Sequence, residues 1–478
     1  MKRKYLAVGI ILLFIELTVA PSINAEITIP NQVTNKTCKA DITADAGTLS
    51  GHVTDAAMNP IEGARVRVYF HNTSRENYSD ATGYYHVTDI PICYCIKNAT
   101  CFKEGYNPVW VLLSISENTT YDFVLIKGHW FYVGGLGAGN YTKIQDAVDN
   151  TSDGDTVFVY DDASPYLETV SINTSIRVLG ENENTTIIDA GTTDYAVAVR
   201  MQADYGRFEH FGLRNSGWES YALNVFHAED LIIANNSFLG NFNGAYVEDS
   251  DQVLIADNTF IENREALEVS SILSSSSSSI LRNRFLDNII GLTLYADNTL
   301  VVDNIIRGNT CYGIIVKADN ISILWNVIDS THNEGSACGI FIDAETNHIQ
   351  VQYNIINEND YGILCFAVKD RDSSIVLNTF SNNSYGMSSD MCARINIERN
   401  NFIGRGTYAY FEDSWWFQAN HWDGNYWADH HGKGARAIPG KALLLVIPLG
   451  YFQGTWRIYS RWLNFDWHPA QEPYDIGG

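Results

Sequence analysis

The chain has 478 residues and a net charge of −25, an acidic balance that is repelled by phosphate backbones and excludes a nucleic-acid-binding role. Apolar residues make up 45% and charged residues 18%, which supplies a large core and excludes global disorder. With 10 Pro against 36 Gly and 27 Tyr, a Pro-rich stalk is excluded and a turn-rich β chain is indicated.

Residues 1–25 read as a signal peptide. Lys2, Arg3 and Lys4 precede an apolar run from Leu6 to Ala20, and Ala25 offers a cleavage position. Glu16 and the shortness of the run argue against an uncleaved anchor. The later run Ala442 to Pro448 is too short to span a bilayer. The expectation is a secreted or cell-surface protein with no transmembrane segment in the mature chain. Asn-x-Ser/Thr sequons, among them Asn77, Asn235, Asn320 and Asn382, make glycosylation feasible in that compartment. Eight Cys fall into an early set, Cys38, Cys93, Cys95 and Cys101, and a late set, Cys311, Cys338, Cys365 and Cys392. Outside the cell such residues can pair. Cys93 with Cys101 is a candidate in the early set. In the late set only Cys311 and Cys338 fall near one another when counted from the Gly that opens each repeat. No CxxC occurs, so a zinc ribbon is not indicated.

Residues 45–127 form the next segment. Ala64, Val66, Val68 and Phe70 alternate with Arg65, Arg67 and Tyr69, a half-buried strand. Turn signals at Asn59-Pro60, Glu62-Gly63 and Ala81-Thr82-Gly83 bracket further short strands. The pattern is that of a small antiparallel β-sandwich. Gly51, Val53, Pro60, Ile61, Gly63, Ala64 and Thr82 to Tyr85 resemble the marks of the carboxypeptidase regulatory-like (transthyretin-like) domain.

From residue 136 the character changes. A short amphipathic helix is expected around Ile144 to Val148, then a strand from Thr156 to Tyr160. A motif, Asn-x-Phe/Ile-x-x-Asn, then recurs at Asn236, Asn258, Asn283, Asn304, Asn354 and Asn378, with weaker copies at Asn326, Asn400 and Asn420. Successive starts differ by 22, 25, 21, 22, 28, 24, 22 and 20 residues. A period of this size is a solenoid signature. One coil per repeat lets the Phe and Ile stack inward. The Asn at each bend tolerates left-handed backbone and bonds its neighbour one coil away, forming an Asn ladder. A tyrosine column, Tyr221, Tyr312, Tyr361, Tyr385 and Tyr408, precedes the small residue that opens each strand. The Ser274 to Ser279 run reads as an outward bulge, because the pattern resumes at Ile280.

This order of helix, Gly-Asp turn and repeating strands resembles the pectin-lyase-like right-handed β-helix. Within that fold it is similar to the NosD-like and CASH-type proteins known from sugar-processing enzymes and archaeal surface proteins. The expected architecture is all-β: a right-handed parallel β-helix over 136–430, of about eleven coils, preceded by the β-sandwich and closed by a C-terminal cap over 431–478.

Functional candidates lie on the outer face of one sheet. Four residues past each opening Gly or Ala stand Phe226, Glu248, Ser270, Tyr295, Lys317, Asp343, Phe366, Asp390 and Asp413. Two residues past it stand Asn224, Tyr246, Glu268, Thr293, Ile315, Phe341, Leu364, Ser388 and Phe411. Aromatic faces and acceptors mixed in this way suit sugar stacking and hydroxyl recognition. Tyr246, Glu248, Glu268, Tyr295, Phe341 and Asp343 are therefore the candidate carbohydrate-binding residues. Hydrolysis would need a carboxylate pair, and only Glu248 and Glu268, on adjacent coils, can approach. His421, Asp423, Asp429, His430, His431 and His468 form a metal candidate, but adjacent His430 and His431 face one ion poorly. A polar, Trp-rich cap is expected there, with no metal and no cofactor. The sequence thus points to an adhesive or carbohydrate-binding surface protein whose partner is a polysaccharide or envelope glycan. The alternative is a polysaccharide hydrolase or lyase.

Overall fold

The computed structural model describes residues 46–476, except 71–72, 93–95, 104–105, 107–108, 116, 192, 205, 230, 272–276, 334–336, 345, 416–418, 433 and 449–454. The signal segment, Cys38, Cys93, Cys95 and residues 274–276 of the serine run lie outside the described residues. The chain divides into two compact units. The first is built mainly from residues up to 131, the second from 132–149, 159–174 and 178 onward.

The first unit contains two sheets. In one, Ala46–Asp55 pairs antiparallel with Tyr84–Pro91 and parallel with Asn118–Thr120 and Phe123–Leu125. The other runs Thr73–Tyr78, Arg65–Phe70, Ile96–Phe102, Val109–Ser114, all antiparallel. Period-2 alternation places Ala64, Val66, Val68 and Phe70 in the core with Leu49, Val53, Tyr85, Val87 and Phe123. Cys101 is a buried free thiol, and burial pushes it up to about 12.

The second unit is a parallel β-solenoid. One of its sheets stacks twelve short strands from Tyr166–Leu167 to Tyr426–Trp427. The helix forms at Ile144–Val148, with Ile144, Ala147 and Val148 buried. Inward positions form continuous columns. Phe238, Phe260 and Phe285 stack at 4.4 and 5.0 Å, and Phe380, Phe402 and Trp427 at 4.8 and 4.3 Å.

Each motif contributes to two asparagine ladders, one from each of its end residues. The first runs Asn236, Asn258, Asn283, Asn304, Asn326, Asn354, Asn378, Asn400 and Asn425, each accepting from the backbone N–H of the one before. Each Nδ2 reaches back to a carbonyl of the preceding coil, as Asn304 does to Ile280 O at 2.9 Å. The second ladder runs Asn241, Asn263, Asn288, Asn309 and, after Thr331, Asn359 and Asn383. Positive φ falls on the residue before each ladder position, Asn235, Asp257, Arg282, Asp303, Trp325, Tyr353, Leu377 and Arg399. The ladder asparagines themselves are not the left-handed residues. Their role is to satisfy the amides that this bend leaves unpaired.

The last coil departs from the expected register. Asn400 bonds Asn425, not Asn420, and Trp427 takes the place in the inward ring column that Trp422 was expected to fill. The first ladder then ends on a carboxylate. Asp466, fully buried, accepts from Asn425 N–H at 2.9 Å, Asn425 Nδ2 at 3.0 Å and Trp427 Nε1 at 3.1 Å. A group that only accepts is suited to terminate a chain of donors. Asp466 is held there by a long antiparallel ribbon, Arg436–Pro448 with Thr455–Asp466.

Candidate functional site

The candidate face belongs to the sheet containing Tyr221–Phe226, Asn243–Glu248, Glu265–Ser270, Ile290–Tyr295, Tyr312–Val316, Cys338–Ile342, Tyr361–Phe366, Tyr385–Asp390 and Thr407–Trp415. The second position of each strand is small because the coils approach there. A Cβ on Gly362 would lie 2.4 Å from Gly386 O, and one on Gly313 would lie 2.5 Å from Gly339 O. The second, third and fifth positions face the core, and the first, fourth and sixth form three outward columns.

The register fixes these columns. The first reads Tyr221, Asn243, Glu265, Ile290, Tyr312, Cys338, Tyr361, Tyr385 and Thr407. The fourth position reads Asn224, Tyr246, Glu268 and Thr293 through the early coils. The sixth reads Phe226, Glu248, Ser270 and Tyr295. In the final coil Thr407, Tyr410 and Glu412 occupy the three columns. Tyr408, Phe411 and Asp413, expected there, are one residue out of step, because Tyr408 stands at the position that earlier coils give to Gly or Ala.

Of the candidate residues, Tyr246, Glu248 and Glu268 come together. The Tyr221 and Tyr246 rings stack at 4.9 Å and 19°. Tyr221 donates its hydroxyl to Glu268 Oε2 at 2.5 Å, reaching across two coils. Thr293 donates to Glu265 Oε1 at 2.6 Å. Burial raises the Glu268 carboxyl above its ordinary value. The Tyr221 bond opposes this, and the charges of Glu265 and Glu248 add to it. Burial, then the bond to Glu268, raises the Tyr221 phenol. Two acceptors here are unsatisfied: Asn224 Oδ1 and Asn243 Oδ1 have no hydrogen-bond partner. Asn243 is only 4% exposed.

Residues outside the strands complete this region. Trp218 is 60% exposed and packs on Phe242 at 4.7 Å. The Arg264 guanidinium lies over the Phe242 ring, 4.9 Å from its centre. Trp218, Phe242, Arg264, Glu265 and Asn243 were not singled out from the sequence. The available signal was a bulky residue directly before three successive first-column positions, at Phe242, Arg264 and Ile289.

Tyr295, Phe341 and Asp343 form a separate group. Lys317 lies 5.5 Å from the Tyr295 ring centre and pairs with Asp343 at 3.5 Å. Phe341 packs on Tyr312 at 5.6 Å. These side chains are occupied with one another.

Cys311 and Cys338 are free thiols. The register sets Cys338 opposite Tyr312, so the two Cys are one residue out of line. Cys338 is buried, and burial pushes it up to about 12. Cys311 lies before its strand, where Asn333 Nδ2 approaches its Sγ at 3.5 Å. At the C-terminal end, His468 Nδ1 meets Asp423 Oδ1 at 2.7 Å, His421 lies 3.7 Å from Glu398, and Asp429 pairs with Arg436 at 2.8 Å. Among the described residues no three His, Cys, Asp or Glu side chains group as metal ligands.

Residues 139–328 and 221–370 match the model of the right-handed beta helix region. No curated protein matches the sequence. Among solved structures, the A-module of mannuronan C-5 epimerase AlgE6 from Azotobacter vinelandii is similar, with TM-score 0.40 and 15% identity over 58% of this chain and 90% of that one. The periplasmic alginate epimerase AlgG gives TM-score 0.36 and 14% identity over 51% and 72%. The PL6 family alginate lyase AlyGC gives 0.32 and 13% over 59% and 49%.

Proposed function

We propose that this chain, whose residues 139–370 belong to the right-handed β-helix family, is an exported cell-surface protein that binds a glycan along the outer face around Tyr221, Tyr246 and Glu268. The observation that carries this reading is the run of rings and acceptors repeating coil by coil. Trp218, Phe242, Tyr221 and Tyr246 offer apolar ring surface, and Asn224, Asn243, Glu248, Glu265 and Glu268 offer acceptors beside it. Sugars present apolar C–H faces and hydroxyl donors in that same alternation. Coils about 4.8 Å apart place equivalent contacts under successive saccharide units of a chain lying along the solenoid. The finer resemblance to NosD-like and CASH-type archaeal surface proteins belongs to this proposal. So does the reading of 45–127 as a carboxypeptidase regulatory-like domain, and the assignment of 431–478 as a cap.

A glycan array with the full chain tests the proposal. Saturable binding that Trp218→Ala and Tyr246→Ala each reduce supports it, and no binding to any glycan refutes it. One observation favours hydrolysis as a second reading. Glu248 and Glu268 sit on adjacent coils two residues apart along the strand, and burial raises the Glu268 carboxyl above its ordinary value. Two carboxyl groups on one outward face are the groups that acid–base hydrolysis requires. A reducing-sugar assay decides: turnover abolished by Glu248→Gln or Glu268→Gln establishes an enzyme, and binding without turnover removes this reading.

A further inference from the structure

The electrostatics of the face narrow the ligand class. Glu248, Glu265 and Glu268 occupy two adjacent coils, and among the described residues none of them forms an ion pair with Lys, Arg or His. The groups around them are Tyr221, Asn224, Asn243, Tyr246, Ser270 and Thr293, all uncharged. Among the described residues no nearby cation pairs with these carboxylates. Arg264 lies on Phe242, Lys317 is held by Tyr295 and Asp343, and Arg200 stands opposite Asn224, ahead of Tyr246 and Glu268 in the same column. A second, independent observation points to a donor. Asn243 Oδ1, buried between Tyr221 and Glu265 in the first column, has no partner. A buried acceptor left unpaired is costly.

Resting on the glycan reading above, we infer that the glycan carries primary ammonium groups: a de-N-acetylated amino-sugar chain. An ammonium brings three N–H donors and a positive charge to carboxylates that, among the described residues, have no cation partner. It also packs favourably on the Tyr221 and Tyr246 rings. A neutral sugar can satisfy Asn243 through a hydroxyl but leaves the carboxylates unpaired. A polyuronate is repelled. A metal ion is disfavoured because these side chains do not group as ligands.

The test is isothermal titration of the full chain with three hexamers: glucosamine, N-acetylglucosamine and mannuronate. It is run at mildly acidic pH and low salt, with spermidine as a separate titrant. The glucosamine hexamer should bind about tenfold or more tighter than its N-acetylated counterpart, with a preference that falls as salt is raised. Mannuronate should not bind. Glu265→Gln and Glu268→Gln, shown folded by circular dichroism, should each reduce the preference about threefold or more while binding of the N-acetylated hexamer persists. Equal or tighter binding of the N-acetylated or mannuronate hexamer overturns the inference and leaves the glycan reading standing. Spermidine binding as tightly as the glucosamine hexamer also overturns it, since sugar would then contribute nothing. Binding of none of the sugars defeats the glycan reading itself.

Discussion

Replacing Asn304 by Leu tests whether the ladder holds the solenoid together. Asn304 is 1% exposed. Its Nδ2 donates to Ile280 O at 2.9 Å, Val302 O at 3.0 Å and Asn326 Oδ1 at 2.9 Å. Its Oδ1 accepts from Asn283 N–H at 2.8 Å and Asn283 Nδ2 at 3.1 Å. Leu has a similar size and none of these bonds. Asn326 Oδ1 keeps the Asn304 backbone N–H, and Asn283 Nδ2 keeps Ile255 O. The Asn283 backbone N–H loses the acceptor that the ladder gave it, at a cost of about 1–3 kcal/mol, and the two carbonyl bonds add about 1 kcal/mol each. Burial of the Leu side chain offsets about 1–2 kcal/mol, so the net loss is about 1–4 kcal/mol. Urea unfolding followed by Trp fluorescence measures the total, and hydrogen exchange at the flanking coils localises it. Gln350→Leu, on an outward strand position, is the control and should stay within about 0.5 kcal/mol. Asn298, also outside the ladder, is a poorer control because its φ of +56° penalises Leu on backbone grounds. An Asn304→Leu cost no larger than that of Gln350→Leu would refute the ladder argument.

Thr331 interrupts the second ladder: it is fully buried and its Oγ1 has no partner. Thr331→Asn restores the missing acceptor for Asn309 and should raise stability by about 1 kcal/mol in the same urea assay; a loss would show the site is too tight. Gly362→Ala brings a Cβ to 2.4 Å from Gly386 O and should cost about 1–3 kcal/mol, read as a lower urea midpoint. Glu268 has a folded value above its ordinary 4.5. The folded state therefore holds a proton that the unfolded chain has released, and stability falls as pH rises from 4.5 through the folded value. Glu268→Gln should melt higher than the parent at alkaline pH, with the gain vanishing below 4.5; a gain that grows on acidification would reverse the assigned sign.

The coil-by-coil fold was legible because the bends repeat a chemical requirement. Asn-x-Phe/Ile-x-x-Asn sets two buried amides and one inward apolar residue at fixed offsets, and a single sequence shows that directly. The last coil misled because Asn420, Trp422 and Asn425 imitate the motif, while the ladder passes through Asn425 with Trp427 inside. Tyr408 misled in the same way: tyrosines are common in the first column, but Thr407 occupies it. Cys311 lies in the bend before its strand and Cys338 at the first strand position, the Cys338 N–H donates to Cys311 O at 3.0 Å, and both thiols are free. The Tyr221–Glu268 bond spans 47 residues and follows only once two successive strand registers are known. Trp218, Phe242 and Arg264 lie in bends before strands, where alternation carries no information about direction.

The columns themselves argue that the carboxylate cluster is not there for the fold. Further along the same face, the first column accepts Ile290, Tyr312 and Cys338, and the fourth position accepts Thr293, Ile315 and Leu364. Residues that pair, pack or stack with their neighbours are evidently compatible with the backbone at these places. In the later coils Lys317 is balanced by Asp343. At Glu248, Glu265 and Glu268 that balancing stops, and Asn243 is left with a buried, unpartnered oxygen. Half-buried carboxylates without a cation weaken the free protein. A local departure of this kind from the rest of the solenoid is what the proposed glycan site leads one to expect. Ligand binding recovers the lost stability in proportion to its affinity, so the glucosamine hexamer should raise the melting temperature of the parent chain more than that of Glu265→Gln. Equal shifts in both would show that these carboxylates take no part in recognition.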